Sequence, residues 1–315
     1  MVINLYFREI IERICKEEGI KCNIISNGWI IVLEKNGITN YITGYKFGLN
    51  SHSLGELLDD KYATYELLSK KGFPVIGHNI VYAQTNHNEY AQGNNTLEYI
   101  VKLFYEYNKD VVLKINDGTC GNNVLHVCDE DVLVDSYKKL SSKYFSMSIC
   151  PFYHVENEYR AIVLNEKVKL IYKKIKPVVV GDGIHSKKEL LRKFNYEYFK
   201  EIEGDDVDRI LELNEIYEYD WRYNLARGAK ASLDCNEDIK SSVKELATQV
   251  ATNIGLKFGS IDIINDVDNQ LYIMEINSGV MMEHFIKQVP NGYQIAKEIY
   301  SNAIKSYNWK EYWFL

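Results

Sequence analysis

No apolar run in the chain approaches the ~20 residues needed to cross a bilayer as a helix. No basic block interrupts a net charge of −7. The first absence argues against a membrane span, and the second against DNA or RNA as a partner, on electrostatic grounds. The six cysteines, at positions 15, 22, 120, 128, 150 and 235, are scattered. None forms a CxxC pair or a cysteine–histidine cluster, so they read as reduced thiols, mostly small core residues. Internal repeats and low-complexity linkers are missing too. No Gly-Lys-Ser/Thr closes a Walker A loop, and GxGxxG does not occur. The opening MVINLYFREIIERICKEEG carries Arg8, Glu9, Glu12 and Arg13 inside its apolar stretch. It reads as an amphipathic helix rather than a signal peptide, which makes a cytoplasmic location the default expectation.

What is present suits a globular protein. In 315 residues, 46% are hydrophobic and 26% charged, enough for two or three subdomains. Residues 3–18 have helical spacing, with Tyr6, Ile10 and Ile14 on one face and Phe7 and Ile11 beside them. WIIVLEKNGITNYITGY reads as a hairpin turning at Asn36-Gly37. Together these predict a short N-terminal α/β unit over 1–58, followed by a larger domain over 59–315. Asp60 opens a helix that Gly72 stops, and PVIGHNIVY after it is extended. A helix from Thr96 to Tyr107 precedes two strands, DVVLKIND and NVLHVCD. YRAIVLNEKVKLIYKKIKP is a strand pair turning at Asn165-Glu166, and the charged stretch from Lys187 to Tyr219 predicts helical pieces. A helix over 237–254 ends at Gly255, a hairpin follows, and a last helix covers about 291–306. This order predicts an α+β (α/β) fold with two β-rich lobes.

Two segments carry chemistry. In VVLKINDGTCGNNV a β-branched strand delivers Lys114, and Gly118 and Gly121 follow in a loop. Such a loop lets backbone N–H groups approach a phosphate while the lysine adds a point charge. Read alone, it is equally a glycine hairpin with a solvated lysine. In FGSIDIINDVDNQLYIMEINSG, Glu275 and Asn277 are two apart on one strand and share a face. Asp262, on the preceding strand, can meet them across the pair. Three oxygen donors with room for water and phosphate suit Mg²⁺, and a cation removes the repulsion between paired acids. A solvent-facing strand edge is the plainer alternative.

Six segments, in order over roughly residues 50–306, resemble the ATP-grasp superfamily of carboxylate–amine ligases. The similarity is to its cyanophycin synthetase, RimK-type glutamate ligase and glutathione synthetase branch. The segments are SHSLGELLDDKYATYELLSKKGFPV, VVLKINDGTCGNNV, ENEYRAIVL, VVVGDGIHSKKELL, WRYNLARGAKAS and SIDII…LYIMEINSGVMMEH. The resemblance implies an ATP-grasp fold, two β-rich lobes clamping ATP, with a nucleotide hinge near 149–158. It implies ATP and Mg²⁺, with Mn²⁺ as a substitute. Lys61 and Lys114 would bind phosphates, with Gly118 and Gly121 in the flexible loop, and Glu158 would hold the ribose. Asp262, Glu275 and Asn277 would bind the metal. Arg222 and Asn224 would sit near the transferred phosphate and acyl group, and Arg160 would face the phosphate or a substrate carboxylate.

The activity implied is an ATP-dependent amide bond formed through an acyl phosphate, on an amino acid or peptide, with ADP and phosphate released. A homodimer is also in keeping with the resemblance. An ATP-binding regulatory protein without turnover, or an ATP-grasp kinase, are the alternatives. Three departures from the pattern stand out. Asn123 replaces a loop glycine, ICPFYHVENEYR lacks the usual acidic residue at its start, and NSGVM replaces NxxPG. Asparagine tolerates the left-handed backbone that the first of these positions requires.

Overall fold

The computed structural model describes residues 6–83, 94–118, 121–194 and 206–310. The chain begins with α1 (Tyr6–Glu18), which buries the apolar face formed by Phe7, Ile10, Ile11, Ile14 and Cys15. An antiparallel meander follows: β1 (Lys21–Ile25), β2 (Ile30–Lys35) and β3 (Ile38–Thr43). The β2–β3 turn falls at Asn36 and Gly37, both at positive φ, as a two-residue hairpin requires. Strand β1 is additional to the expected hairpin. Two short helices come next, α2 (His52–Asp59) and α3 (Lys61–Lys70), capped by the side chains of Ser51 and Asp60.

A four-stranded antiparallel sheet contains β4 (Asn79–Tyr82), β5 (Val111–Ile115), β6 (Val124–Val127) and β7 (Ser146–Pro151), in the order β4-β7-β5-β6. Helices α4 (Leu97–Glu106) and α5 (Glu130–Ser141) cover one of its faces, Phe104, Leu133 and Tyr137 packing on Leu113, Met147 and Ile149. Neither α5 nor β7 was among the expected elements. Strand β7 owes its place to pairing on both sides, with β4 and β5.

The second large sheet is five-stranded and antiparallel. It contains β8 (Asn157–Leu164), β9 (Lys167–Ile175), β12 (Lys230–Ser232), β13 (Phe258–Asn265) and β14 (Leu271–Asn277), in the order β12-β9-β8-β13-β14. The β8–β9 turn is Asn165-Glu166, again with both residues at positive φ. Helix α7 (Glu237–Ile254) packs Val243, Ala247, Val250 and Ala251 against this sheet and ends at the left-handed Gly255.

Between these parts, β10 (Val178–Val180) pairs with β11 (Ile216–Glu218), and α6 spans Lys187–Phe194. The stretch from 187 to 219 is therefore only partly helical. Residues 195–205 lie outside the described residues, and Ile216–Glu218 becomes a strand because β10 offers it an edge. Helices α8 (Glu283–Gln288) and α9 (Gly292–Lys305) close the chain. Phe7 and Phe47 pack in one core with Phe258, Phe285 and Tyr300, so the N-terminal unit and the C-terminal helices share their interior.

Among the described residues no helix is long and apolar enough to cross a membrane. Of the cysteines, Cys15 and Cys150 are buried and Cys22 and Cys235 partly so, whereas Cys128 is exposed. Its Sγ lies 3.4 Å from His126 Nε2, which corrects the expectation that no cysteine–histidine cluster exists. The linear spacing hid it: the two are only two residues apart, and the third member, Asp110, comes from another part of the chain.

Candidate functional site

Strand register builds a polar row across the five-stranded sheet. Asp262 on β13 stands opposite both Arg160 on β8 and Glu275 on β14, and Arg160 stands opposite Tyr172 on β9. Directly opposed residues share a face. One step along, Glu158 opposes Lys174 on that same face. The reverse face is apolar and lies under α7.

A bulge lets β14 serve both faces. Asp262 pairs with Glu275, but Ile263 pairs with Ile273, leaving Met274 as the extra residue. Ile273 and Ile276 thereby both reach the core under α7, while Glu275 and Asn277 keep to the polar side. Without the bulge, period-two alternation would set Ile273 beside Glu275.

Asp262, Glu158 and Lys174 are buried and charge-compensated. Asp262 is 1% exposed and accepts from Arg160 Nε at 2.7 Å, Arg160 Nη2 at 2.6 Å and Lys174 Nζ at 3.1 Å. Lys174 also donates to Glu158 at very short range. Burial would raise the Asp262 carboxyl, but Arg160 and Lys174 outweigh it and hold it down at about 2. Glu158 goes the other way. Burial outweighs the attraction of Lys174 and, with Asp262 close by, pushes it up to about 7.

A second group gathers at the start of α3. Lys61 Nζ donates to Gly118 O at 2.6 Å and Asn116 O at 3.3 Å, and lies 3.3 Å from Glu275 Oε1. Asn116 Oδ1 accepts from Tyr62 N at 3.2 Å, pinning the helix start to the connection after β5. Lys114 on β5 is half-buried. Burial lowers its ammonium pKa, Lys61 adds to that, and the carboxylates of Glu275 and Glu158 oppose it. Nearby, His78 is 3% exposed, with Nδ1 2.8 Å from Ser148 Oγ. Its Nε2 has no hydrogen-bond partner among the described residues. Burial, then Lys114 and Lys61, hold this imidazole well below its ordinary value, hence neutral. His78 lines a recess together with Lys61, Tyr65 and Glu275.

A third group holds the β5–β6 connection. Arg222 grips the Asp220 carboxylate through Nε at 2.8 Å and Nη2 at 2.9 Å, and Arg227 Nε joins at 2.7 Å. The remaining nitrogen of Arg222 reaches the carbonyls of Gly121 at 3.4 Å and Val124 at 3.2 Å. Asn224 caps the short turn Leu225–Arg227 by accepting from Ala226 N at 2.8 Å. Its amide nitrogen lies so near Gly121 (φ +68°) that a Cβ there would come within 2.7 Å. Asn123 does adopt the left-handed region, at φ 53°.

The two sheets meet along an apolar seam of Ile76, Val112, Cys150 and Ile264. The linker between β7 and β8 runs beside it, where Phe152 N donates to Asp110 O at 2.9 Å. Tyr223 Oη lies within donating distance of the linker carbonyls of Val155 at 3.1 Å and Glu156 at 3.0 Å.

The expected site residues therefore fall into three sets. Arg160, Glu158 and Asp262 form one, and Lys61, Gly118 and Glu275 a second, with Lys114 near it. Arg222, Asn224 and Gly121 form the third. Asn277 lies two residues past Glu275 on the same face, opposite Ser260. Sequence reading missed Lys174, His78, Asp220 and Arg227. For Lys174 the reason is a second bulge. Counting back from the Asn165-Glu166 turn pairs Glu158 with Lys173, but the register slips between Ile162 and Val163 and brings in Lys174.

Residues 204–302 match the family described as RimK-like ATP-grasp domain. A cyanophycin synthetase of Synechocystis sp. is 26% identical over 266 residues, covering 73% of this chain and 28% of that protein. The bifunctional glutathione biosynthesis protein of Streptococcus thermophilus is 23% identical over 239 residues, covering 69% of this chain and 30% of its own. The chain thus spans less than a third of the length of the curated relatives it matches. Among solved structures, a bifunctional glutathione synthetase from Pasteurella multocida aligns over 95% of this chain and 44% of its own, with TM-score 0.55 and 17% identity. A D-alanine–D-alanine ligase from Bacillus anthracis aligns over 79% of this chain and 66% of its own, with TM-score 0.52 and 13% identity. The chain has the ATP-grasp fold, residues 204–302 are similar to the RimK-like ATP-grasp domain, and longer stretches are similar to cyanophycin and glutathione synthetases.

Proposed function

We propose that the protein is an ATP-dependent carboxylate–amine ligase. The γ-phosphate of ATP passes to a substrate carboxylate, and an amine attacks the resulting acyl phosphate. An amide, ADP and phosphate are the products. The observation that carries this reading is the convergence of Lys61, Lys114 and Glu275 beside the buried Asp262–Arg160–Lys174–Glu158 network.

The donor set suits a nucleoside triphosphate with a hard cation. Lys61, Lys114, Arg160 and Lys174 outnumber the carboxylates Glu158, Asp262 and Glu275, which favours a polyanion. Glu275 and Asn277 offer oxygens on one face. Asp262 has used three of its roughly four lone-pair sites. That chemistry fits Mg²⁺, with Mn²⁺ as a substitute. When bound, the metal would neutralise charge on the phosphate oxygens during transfer.

The protein's own groups bind and orient. Lys61 and Lys114 act as point charges on the phosphates, with Gly118 and Gly121 flanking them. Glu158 holds the ribose, and the linker backbone receives the adenine. Arg160 aligns Asp262. Arg222 and Asn224 set the loop against the transferred group and help keep water from the acyl phosphate. Residues 1–58 form a unit that buttresses this 59–315 domain. Similarity to a D-alanine–D-alanine ligase and to glutathione synthetases supports an amino acid or peptide as substrate.

The test is ADP and phosphate release with Mg-ATP against amino acids and short peptides, supplied singly and in pairs, with mass spectrometry of the products. A ligase releases ADP only with a carboxylate–amine pair and yields a product lighter by one water than their sum. Release with a carboxylate alone would make it a kinase. Tight ATP binding without turnover in any pool would count for a nucleotide-binding regulator.

A further inference from the structure

We infer that Asp110, His126 and Cys128 form a binding site for one thiophilic divalent cation, with zinc the best match. The inference does not rest on the ligase reading. Asp110 directly precedes β5, His126 lies on β6, and Cys128 follows β6 by one residue. None of them belongs to the three groups described above.

The three ligand atoms converge on one point. His126 Nε2 is 2.6 Å from Asp110 Oδ1, Cys128 Sγ is 3.4 Å from His126 Nε2, and Cys128 Sγ is 3.6 Å from Asp110 Oδ1. The same ring nitrogen faces both partners. A nucleophilic relay needs two: one nitrogen for the thiol and the other for the carboxylate. This geometry is therefore wrong for a Cys-His-Asp triad and right for a shared ion. Zinc bonds of about 2.0–2.3 Å give tetrahedral edges of about 3.3–3.6 Å between such ligands. Both sulfur distances already match. The remaining edge opens by roughly 0.7 Å when a cation replaces the proton between Asp110 and His126.

Ligand chemistry selects the ion. One thiolate, one imidazole and one carboxylate suit zinc, whereas Mg²⁺ and Ca²⁺ take oxygen ligands. The His126 side chain is 29% exposed and that of Asp110 40% exposed, so water can complete the fourth position. The imidazole is held in place: it stacks on Phe152 at 3.8 Å between centroids and 16° between planes, with Trp221 at its edge. Partial desolvation, then the Asp110 carboxylate, push the Cys128 thiol up. A bound cation favours the thiolate, so uptake releases a proton. Because Phe152 also donates to the Asp110 carbonyl, the ion would tie the β5–β6 pair to the linker between the sheets.

The test uses the full chain, reduced and stripped of metal, titrated with Co²⁺ and then Zn²⁺. We expect one Co²⁺ per chain with a thiolate-to-cobalt charge-transfer band, displaced by Zn²⁺ but not by excess Mg²⁺. Zn²⁺ should raise the Tm. Cys128→Ser should remove the band and the Tm shift, and Asp110→Asn should weaken Zn²⁺ at least tenfold. Cobalt on Asp262, Glu275 and Asn277 has only oxygen ligands and gives no such band. If Cys128→Ser does not fold, His126→Gln reads the same loss. Absence of the band in the wild type, or its survival in a folded Cys128→Ser or His126→Gln, would overturn the inference.

Discussion

Arg160 meets Asp262 with two parallel hydrogen bonds, Nε to Oδ1 at 2.7 Å and Nη2 to Oδ2 at 2.6 Å, inside the sheet where Asp262 is 1% exposed. Two charges taken so far out of water persist only because each satisfies the other. Breaking a buried pair from one side leaves an uncompensated charge. Arg160→Met should therefore lower stability by about 3 kcal/mol, the low end of the usual range because Lys174 still contacts Asp262. The double change Arg160→Met/Asp262→Leu should cost less than the single one. Urea denaturation reads both. A single-variant loss below about 1 kcal/mol would sink the account.

Glu275 touches Lys61 and stands opposite Asp262, yet its side chain is 28% exposed. The proposed function makes it a charge-bearing contact for the metal and phosphates. Glu275→Gln keeps the shape and removes the charge. ADP formation should fall at least about 100-fold, while stability moves by less than about 1 kcal/mol. Unchanged ADP release from correctly folded protein would count against the metal-clamp role.

The two buried carboxyls should leave opposite marks on stability against pH. The Asp262 carboxyl, held at about 2 against 3.8 ordinarily, contributes stability that is present above pH 3.8 and lost as pH falls through about 2. Glu158 is raised, from 4.5 to about 7. The folded chain then keeps a proton that the unfolded chain releases, so stability falls as pH rises from 4.5 to about 7. Glu158→Gln should abolish that fall while still accepting from Lys174. Urea midpoints measured across this range, for wild type and variant, decide it. Identical slopes for the two proteins would contradict the assignment.

Gly121 sits at φ +68° with Asn224 Nδ2 2.7 Å from where a Cβ would stand. Gly121→Ala strains the backbone and pushes Asn224 away from the loop. A stability loss of about 1 kcal/mol follows from the backbone alone. Turnover should drop by more than that loss explains, because Asn224 and Arg222 both lose their register with the loop. Comparing kcat with the Tm separates the two effects. A variant with full kcat would show that the close approach is only packing.

Tyr223 links the β12 side of the molecule to the linker through the carbonyls of Val155 and Glu156. Tyr223→Phe should cost about 1 kcal/mol and raise KM for ATP more than it lowers kcat. An unchanged KM would separate the linker from nucleotide binding.

Much of the architecture was legible from local chemistry. Asn36-Gly37 and Asn165-Glu166 mark turns because asparagine and glycine tolerate positive φ, which Glu166 adopts beside Asn165. Asp60 and Thr96 open helices because their side chains accept from otherwise unpaired backbone N–H groups, and Gly255 closes one because it takes the left-handed region. Asp262 and Glu275 declared themselves as acids in apolar strands. These are properties of a few adjacent residues, and local chemistry is enough to set them. The remaining features depend on register and on distant segments. Two bulges, one at Met274 and one between Ile162 and Val163, set which side chains face the polar row. They bring Lys174 to Glu158 and Asp262 and leave Lys173 outside the network. Strand β11 exists because β10 gives it an edge, and Asp110 joins His126 and Cys128 because β5 pairs with β6. Each slip of one residue turns a side chain to the other face, so no count along the chain could foresee these partnerships.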